Sequence, residues 1–153
     1  MSALARFLAT GFYTGYVPLV PGTFGTLPGV VLAIPLAALW PASPAAYVLV
    51  LGVSIVVAVW SASSVVRQTG ISDPQIIVVD EVVGYFLAMA FLPATAPMLF
   101  AAFVAFRLFD IVKPPPAPWL EGLPGGLGVV ADDLYAGVLA NLVVRAVALA
   151  GVL

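Results

Sequence analysis

Long apolar blocks, separated by short segments rich in proline and glycine, make up most of the chain. The blocks cover residues 3–16, 27–40, 45–66, 74–92, 97–112 and 132–150. Three of them are long enough to cross a bilayer, which takes about 20 residues. The blocks 3–16 and 27–40 are predicted to be short spans or a re-entrant pair. The pattern predicts an all-α fold, a polytopic membrane bundle of about six apolar helices, some of them short or re-entrant.

Composition supports a membrane environment for this bundle. Hydrophobic residues make up 63% of the 153 residues and charged residues only 8%, against about 25% charged in a typical soluble domain. No charged residue occurs between Arg6 and Arg67. We therefore expect hydrocarbon to cover most of the surface of one domain over residues 1–153. The N-terminus has no small-residue cleavage site and is not interpreted as a removable signal peptide.

Charge and residue usage exclude several classes of function. A net charge of −2 gives no basic patch for nucleic acid, so no nucleic-acid partner is expected. The chain has no cysteine and no histidine, which excludes thiolate chemistry, Ser-His-Asp hydrolysis and histidine-ligated zinc. Catalysis, if present, must use carboxylates, lysine or arginine, hydroxyl groups and the backbone.

Alternating the helices across the membrane assigns each connection to one side. The connections 17–26, 67–79 and 113–131 share one side, and 41–44 and 93–96 share the other. This arrangement requires a helical hairpin in place of one kinked span over residues 82–106. A single span there would put Asp80 and Asp110 on opposite faces.

With the hairpin, the charges separate between the two sides of the membrane. The first side receives all seven acidic residues, namely Asp73, Asp80, Glu81, Asp110, Glu121, Asp132 and Asp133. Arg67, Arg107 and Lys113 join them, whereas Arg6 and Arg145 are predicted to lie toward the other side. Charge at membrane depth is costly unless it is paired, hydrated or bound to a metal. The acidic group therefore predicts a functional site.

The chemistry of this acidic group favours a hard divalent cation and a phosphate. Clustered carboxylates repel one another unless a cation lies between them, and oxygen ligands suit Mg²⁺ or Mn²⁺. Arg107, Asp110 and Lys113 follow one another at intervals of three and share a helix face. The two cations suit phosphate oxygens. The glycine-rich loops 22–26 and 125–128 offer backbone N–H groups to an anion.

Four motifs in this order resemble the phosphatidylglycerophosphatase A family. They are Pro21-Gly22-Thr23-Phe24-Gly25-Thr26, Asp80-Glu81-Val82-Val83-Gly84, the segment from Phe106 to Pro114, and Gly125-Gly126-Leu127-Gly128 followed by Asp132-Asp133. The resemblance extends from Ala9 to Gly137. It implies a Mg²⁺-dependent phosphatase of the bacterial inner (cytoplasmic) membrane, with its active site facing the cytoplasm. The implied reaction converts phosphatidylglycerophosphate to phosphatidylglycerol and phosphate in phospholipid biosynthesis.

Three positions depart from the pattern of the family. Ile76 stands where an acidic residue is frequent, so that position is not expected to be essential. Pro118 stands where a basic residue is frequent, which removes one expected contact to the lipid headgroup. Glu121 replaces the more common aspartate.

The resulting hypothesis assigns a role to each candidate residue. Asp80, Glu81, Asp132 and Asp133 hold one or two Mg²⁺, and Asp110 completes the catalytic group. Arg107 and Lys113 bind the terminal phosphate of the lipid, with Thr23 and Gly126 as further substrate contacts. A metal-activated water is the expected nucleophile; an aspartyl-phosphate route ranks second, because the Asp-x-Asp motif is absent.

Structural roles compete with these assignments. Asp132 and Asp133 could simply cap a helix without any functional role. Asp73 is expected to be a helix cap, and Arg67 is expected to be a positive-inside anchor. A membrane cation transporter lined by the same carboxylates is an alternative function, as is a phosphatase for another lipid phosphate. A purely structural bundle is a third. The sequence leaves the oligomeric state open.

Overall fold

The computed structural model describes residues 2–17 and 21–153. The elements in chain order are α1 (Ala3–Ala9), a 3-10 helix (Thr14–Tyr16), α2 (Pro21–Ala42), α3 (Pro44–Thr69), α4 (Val79–Ala88), α5 (Ala96–Val112), α6 (Ala117–Glu121) and α7 (Gly126–Leu149). No strand occurs in these described ranges. The predicted all-α class is confirmed.

Three helices are long and apolar enough to cross a membrane. They are α2 with 22 residues, α3 with 26 and α7 with 24. Helix α4 has only 10 residues and lies at the centre, packed against α2 and α7. It turns back through Met89–Phe91 into α5, so the predicted hairpin in this region is confirmed.

The beginnings and ends of these helices meet at one end of the bundle, called here the polar end. Helices α2, α4 and α7 begin there, and α3 and α5 end there. Helix α5 ends at Val112, and Lys113 caps it in the left-handed conformation with φ 47°. Pro114 follows, as the predicted helix end required.

The N-terminal block 3–16 does not form a span, contrary to one prediction for it. Helix α1 has 7 residues, and the backbone then turns through left-handed positions from Gly11 to Tyr13. Helix α1 packs beside α3, and Arg6 Nη2 donates a hydrogen bond to Gln68 Oε1 at 3.3 Å. Arg6 therefore lies at the polar end, and its predicted placement on the opposite side is wrong.

Two glycine-rich segments predicted as loops are helical. The predicted connection 17–26 includes residues 18–20, which lie outside the described residues, but its glycine-rich loop 22–26 belongs to α2, which begins at Pro21. Helix α7 begins at Gly126 and not near Asp132. Asp132 and Asp133 consequently lie about two turns inside α7, too far from its N-terminus to act as caps.

The predicted helix over residues 74–92 begins later, at Val79. Pro74 instead opens a turn, in which its carbonyl accepts a hydrogen bond from Ile77 N at 2.8 Å. Val78 N donates to Ala9 O at 2.9 Å, so the N-terminal segment holds the residues before α4 in place. Asp80 and Glu81 therefore occupy the first turn of α4, and Asp73 is not its cap.

Candidate active site

A cavity of about 260 Å³ opens at the polar end of the bundle. All seven acidic residues of the chain line it, together with Lys113. The remaining lining residues are Gly22, Ser72, Gln75, Ile77 and Val129. The fold therefore brings together carboxylates from α4, α5, α6, α7 and the loop before α4.

Two cationic side chains pair with four of these carboxylates. Lys113 Nζ donates to Asp132 Oδ2 at 2.8 Å and lies 3.2 Å from Glu121 Oε2. Arg107 Nη1 donates to Asp110 Oδ2 at 2.6 Å and to Glu81 Oε1 at 3.4 Å. Each cation thus joins two carboxylates that come from different parts of the site.

Two buried carboxyl groups have no cationic partner within the described part of the chain. Asp80 and Asp133 are buried, and neither takes part in an ion pair. Asp80 Oδ1 accepts only the neighbouring Glu81 N–H, at 3.0 Å. Glu81 Oε2 is buried without a hydrogen-bond partner. These oxygens are available to a ligand that supplies positive charge.

Glycines in α2 make room for the Glu81 carboxylate. A Cβ on Gly25 would lie 2.2 Å from Glu81 Oε2, and one on Gly22 would lie 2.5 Å from Glu81 Oε1. Both distances are far below van der Waals contact. The glycines of the Pro21–Gly25 motif therefore allow the first turns of α2 and α4 to touch.

A second glycine pair allows α4 to cross α7 closely. A Cβ on Gly137 would lie 2.2 Å from Gly84 O, and one on Gly84 would lie 2.7 Å from Asp133 O. These contacts fix the position of α4 along the axis of α7. They hold together the two helices from which Asp80 and Asp133 line the cavity.

Side chains of α7 satisfy the backbone at the far end of α4. Asn141 Nδ2 donates to Ala88 O and Ala90 O, each at 3.0 Å, and Arg145 Nη2 donates to Ala90 O at 2.6 Å. Carbonyls at a helix end lack partners inside the helix, and membrane interior supplies none. Asn141 and Arg145 therefore anchor the short helix that carries Asp80 and Glu81.

The structure places three predicted substrate-binding residues outside the cavity wall. Arg107 lies behind Glu81 and Asp110, and Thr23 is not among the lining residues. Gly126 N donates to Ser63 Oγ at 3.1 Å, where the glycine permits contact between α3 and α7. Their predicted contacts with substrate stay predictions, whereas Lys113 does line the cavity.

Several lining residues had no functional role in the sequence-based hypothesis. Ser72, Asp73 and Gln75 come from the loop before α4, and Glu121 comes from the end of α6. The departure at Glu121 from the family pattern was a signal for one of them. Nothing in the spacing of the loop residues indicates that this loop folds over the cavity.

Burial and neighbouring charges shift the pKa values of Asp73 and Lys113, which line the cavity outside the helices. Burial raises the pKa of the Asp73 carboxyl, and Lys113 partly opposes this effect. Burial alone would lower the pKa of the Lys113 ammonium, but Asp132 and Glu121 raise it overall. Lys113 is therefore a permanent positive charge in the cavity wall near neutral pH.

The carboxylates do not form a finished metal site. Among the described ranges, no group of three acidic side chains has the arrangement of a metal cage. The donor set nevertheless fits a hard cation, because it consists of carboxylate oxygens, several of them unpaired. Binding would require side-chain rotation within the cavity.

Comparison with known proteins identifies similar chains. The family model described as Phosphatidylglycerophosphatase A matches residues 7–148. Phosphatidylglycerophosphatase A of Escherichia coli (strain K12) is 37% identical over 142 residues, covering 91% of this chain and 80% of that protein. The protein of the same name from Haemophilus influenzae is 33% identical, covering 92% and 86%.

A further relative carries a different name. A protein of Bacteroides thetaiotaomicron, provisionally named a phosphatidylinositol-3-phosphatase, is 35% identical over 153 residues, covering 94% of this chain and 92% of that protein. No solved structure matches the chain at a significant level.

Proposed function

Because the chain belongs to the phosphatidylglycerophosphatase A family, we propose that it hydrolyses phosphatidylglycerophosphate to phosphatidylglycerol and phosphate. In this reaction a water oxygen forms a bond to phosphorus. The bond from phosphorus to the glycerol oxygen breaks, and that oxygen takes up a proton. The proposed place of this step in the cell is phospholipid biosynthesis.

One observation carries the assignment of the active site. Every acidic residue of a highly apolar chain lines one cavity, at the polar end of the bundle, where α2, α4 and α7 begin and α3 and α5 end. The cavity, at about 260 Å³, falls just below the usual range of about 300–1,000 Å³ for pockets that enclose a whole ligand. It suits a phosphate headgroup whose acyl chains remain in the bilayer.

Lys113 is the proposed phosphate-binding residue. Its ammonium group lies in the cavity wall with one carboxylate on each side, so it can turn toward a phosphate oxygen without leaving Asp132. Arg107 is assigned a different part. By pairing with both Glu81 and Asp110 it offsets their mutual repulsion and holds the two carboxylates in position.

Mg²⁺ is the proposed cofactor, and Asp80, Glu81, Asp132 and Asp133 are its proposed ligands. The unpaired buried oxygens of Asp80, Asp133 and Glu81 support this assignment, because a divalent cation offsets their mutual repulsion. When bound, the ion supplies charge neutralisation at phosphate and lowers the pKa of water. Asp110, held by Arg107, completes the proposed catalytic group.

A cytoplasmic location of the active site is proposed from the positive-inside rule. Arg6, Arg67, Arg107 and Lys113 lie at the polar end, and Arg145 alone of the five basic residues lies at the other end. Arg6 was predicted to lie on the opposite side, so its position at the polar end increases the excess of basic residues there. The proposed membrane is the bacterial inner membrane.

Two alternatives make different demands on the molecule. A cation transporter needs polar groups along a path to both faces, but the described residues place every carboxylate at the polar end. A phosphatase for phosphoinositides is the second alternative, and the Bacteroides relative favours including it in any assay.

The test is phosphate release by the purified protein from phosphatidylglycerophosphate and from phosphatidylinositol 3-phosphate, in parallel vesicles. We expect faster release from phosphatidylglycerophosphate and loss of release in EDTA. Preference for the phosphoinositide would overturn the substrate assignment but keep the site. Release that persists in EDTA and in an Asp80→Asn variant would overturn the site.

A further inference from the structure

A cluster of exposed aromatic rings covers the outer face of the N-terminal segment. Phe7, Phe12, Tyr13 and Tyr16 are 36%, 45%, 51% and 48% exposed. The ring centroids of Phe7 and Phe12 are 5.0 Å apart, those of Phe7 and Tyr13 5.4 Å, and those of Tyr13 and Tyr16 6.2 Å. The four residues are called here the aromatic cluster.

The backbone beneath the aromatic cluster adopts an unfavourable conformation. Phe12 and Tyr13 have φ values of 60° and 71°, directly after Gly11 at 52°. Bulky L residues rarely occupy this left-handed region, and two in succession are exceptional. Such a conformation persists where surrounding contacts impose it, and it is a sign of function.

A hydrogen-bond network holds this backbone in place. Thr10 is fully buried, and its hydroxyl donates to Arg6 O at 2.9 Å and accepts from Tyr13 N at 3.2 Å. Phe12 N donates to Phe7 O at 2.9 Å. The outward position of the rings is therefore built into the segment and is not the result of a loose loop.

The inner face of the same segment is fixed to the bundle. A Cβ on Gly15 would lie 2.2 Å from Ile76 O, and one on Gly11 would lie 2.7 Å from Val78 Cγ2. The segment thus cannot rotate to bury its rings against the protein. Within residues 2–17 and 21–153, the four rings are left exposed.

We propose that the aromatic cluster is seated in the headgroup region of the bilayer, where it anchors the polar end of the molecule. Three observations favour a lipid surface. The segment lies beside the C-terminal end of the α3 span, at the level where a bilayer interface would fall. Tyrosine rings suit that interface, since one end is apolar and the other polar.

The third observation is charge. Arg6 directly precedes Phe7 of the aromatic cluster, and Arg67 directly precedes Gln68, which accepts the hydrogen bond from Arg6. Neither arginine forms an ion pair within the described residues. Cations beside exposed aromatic rings are typical of elements that lie in the interface of anionic membranes.

Single-cysteine labelling tests this location, because the chain has no cysteine. Tyr13→Cys and Tyr16→Cys variants would carry an environment-sensitive fluorophore in vesicles of mixed zwitterionic and anionic lipid. The second variant serves if the left-handed position of Tyr13 does not tolerate replacement. Ser72→Cys, exposed in the loop that follows α3, is the aqueous control, and Val56→Cys, exposed in the middle of α3, is the control for membrane depth.

The proposal expects emission from positions 13 and 16 at shorter wavelength than from position 72. Spin labels near the lipid headgroup should quench it more strongly than spin labels deep in the acyl chains, with the reverse order at position 56. Quenching by aqueous iodide equal to that at position 72 would overturn the proposal. Protection from both lipid-borne and aqueous quenchers would also overturn it, since it would indicate burial against a second protein copy.

Discussion

Replacing Gly25 with alanine tests the contact between α2 and α4 on which the site depends. The added Cβ would lie 2.2 Å from Glu81 Oε2, 2.5 Å from Val78 Cβ and 2.7 Å from Val78 Cγ1. Val78 is held by its bond to Ala9 O, and Glu81 by its pairing with Arg107. The first turn of α4 must therefore shift as a unit.

The structure predicts a small change in stability and a large change in activity. Overpacking typically costs about 1–3 kcal/mol, while alanine in place of glycine within a helix recovers about 0.8–1 kcal/mol. The net loss in the free energy of unfolding is then at most about 2 kcal/mol. A displacement of about 1 Å at a catalytic group can reduce the rate by about 100-fold.

Phosphate release and thermal unfolding, both in the same detergent, measure the two effects. Gly52→Ala in α3 is the matched control, because nothing lies within 4 Å of its Cβ position. We expect the control to keep full activity and the Gly25→Ala variant to lose about two orders of magnitude. Near-full activity of a folded Gly25→Ala variant would refute the close-approach account of the motif.

Two further predictions concern the cation in the cavity and the anchor of α4. Lys113→Met should weaken substrate binding by about 1.5–3 kcal/mol, the usual value of a hydrogen bond to a charged group. The loss should be measured as an increase in KM that Lys113→Arg partly reverses, and an unchanged KM would contradict the phosphate-binding role. Asn141→Leu leaves the Ala88 carbonyl without its donor and should lower stability by about 1–3 kcal/mol, measured as a fall in Tm against an exposed Leu142→Ala control. Equal Tm values for these two variants would contradict the anchoring role.

The sequence predicts the helical class and the end of α5 because local signals determine both. Proline after Lys113 stops a helix whatever the surroundings. The segregation of acidic residues to one side also follows from sequence, since it requires only that helices alternate. These are the parts of the fold in which chain neighbours decide the outcome.

The start of α4 could not be predicted because a distant segment decides it. Asp73-Pro74 is a favourable helix start, but Val78 N donates a hydrogen bond to Ala9 O, which is far away along the chain. The glycines at 22 and 25 posed a different problem. Glycine-rich composition predicts a loop at these positions. In the structure both glycines are helical, and the absence of a side chain lets α2 contact the Glu81 carboxylate of α4.

The carboxylates of the candidate site could be predicted from the sequence, whereas the roles of its cations could not. Carboxylates were identified because charge is rare in this chain, and all of them meet at one cavity. The different positions of Arg107 and Lys113 could not be predicted from the sequence. Arg107 and Lys113 share a helix face, but only Lys113 reaches the cavity.

The most direct test of the central claim is phosphate release from phosphatidylglycerophosphate in vesicles by wild-type protein and by Asp80→Asn, each with Mg²⁺ and with EDTA. The account predicts rapid release only by wild type with Mg²⁺, and folded but inactive Asp80→Asn. Equal release by wild type and Asp80→Asn, or release that is independent of Mg²⁺, would contradict it.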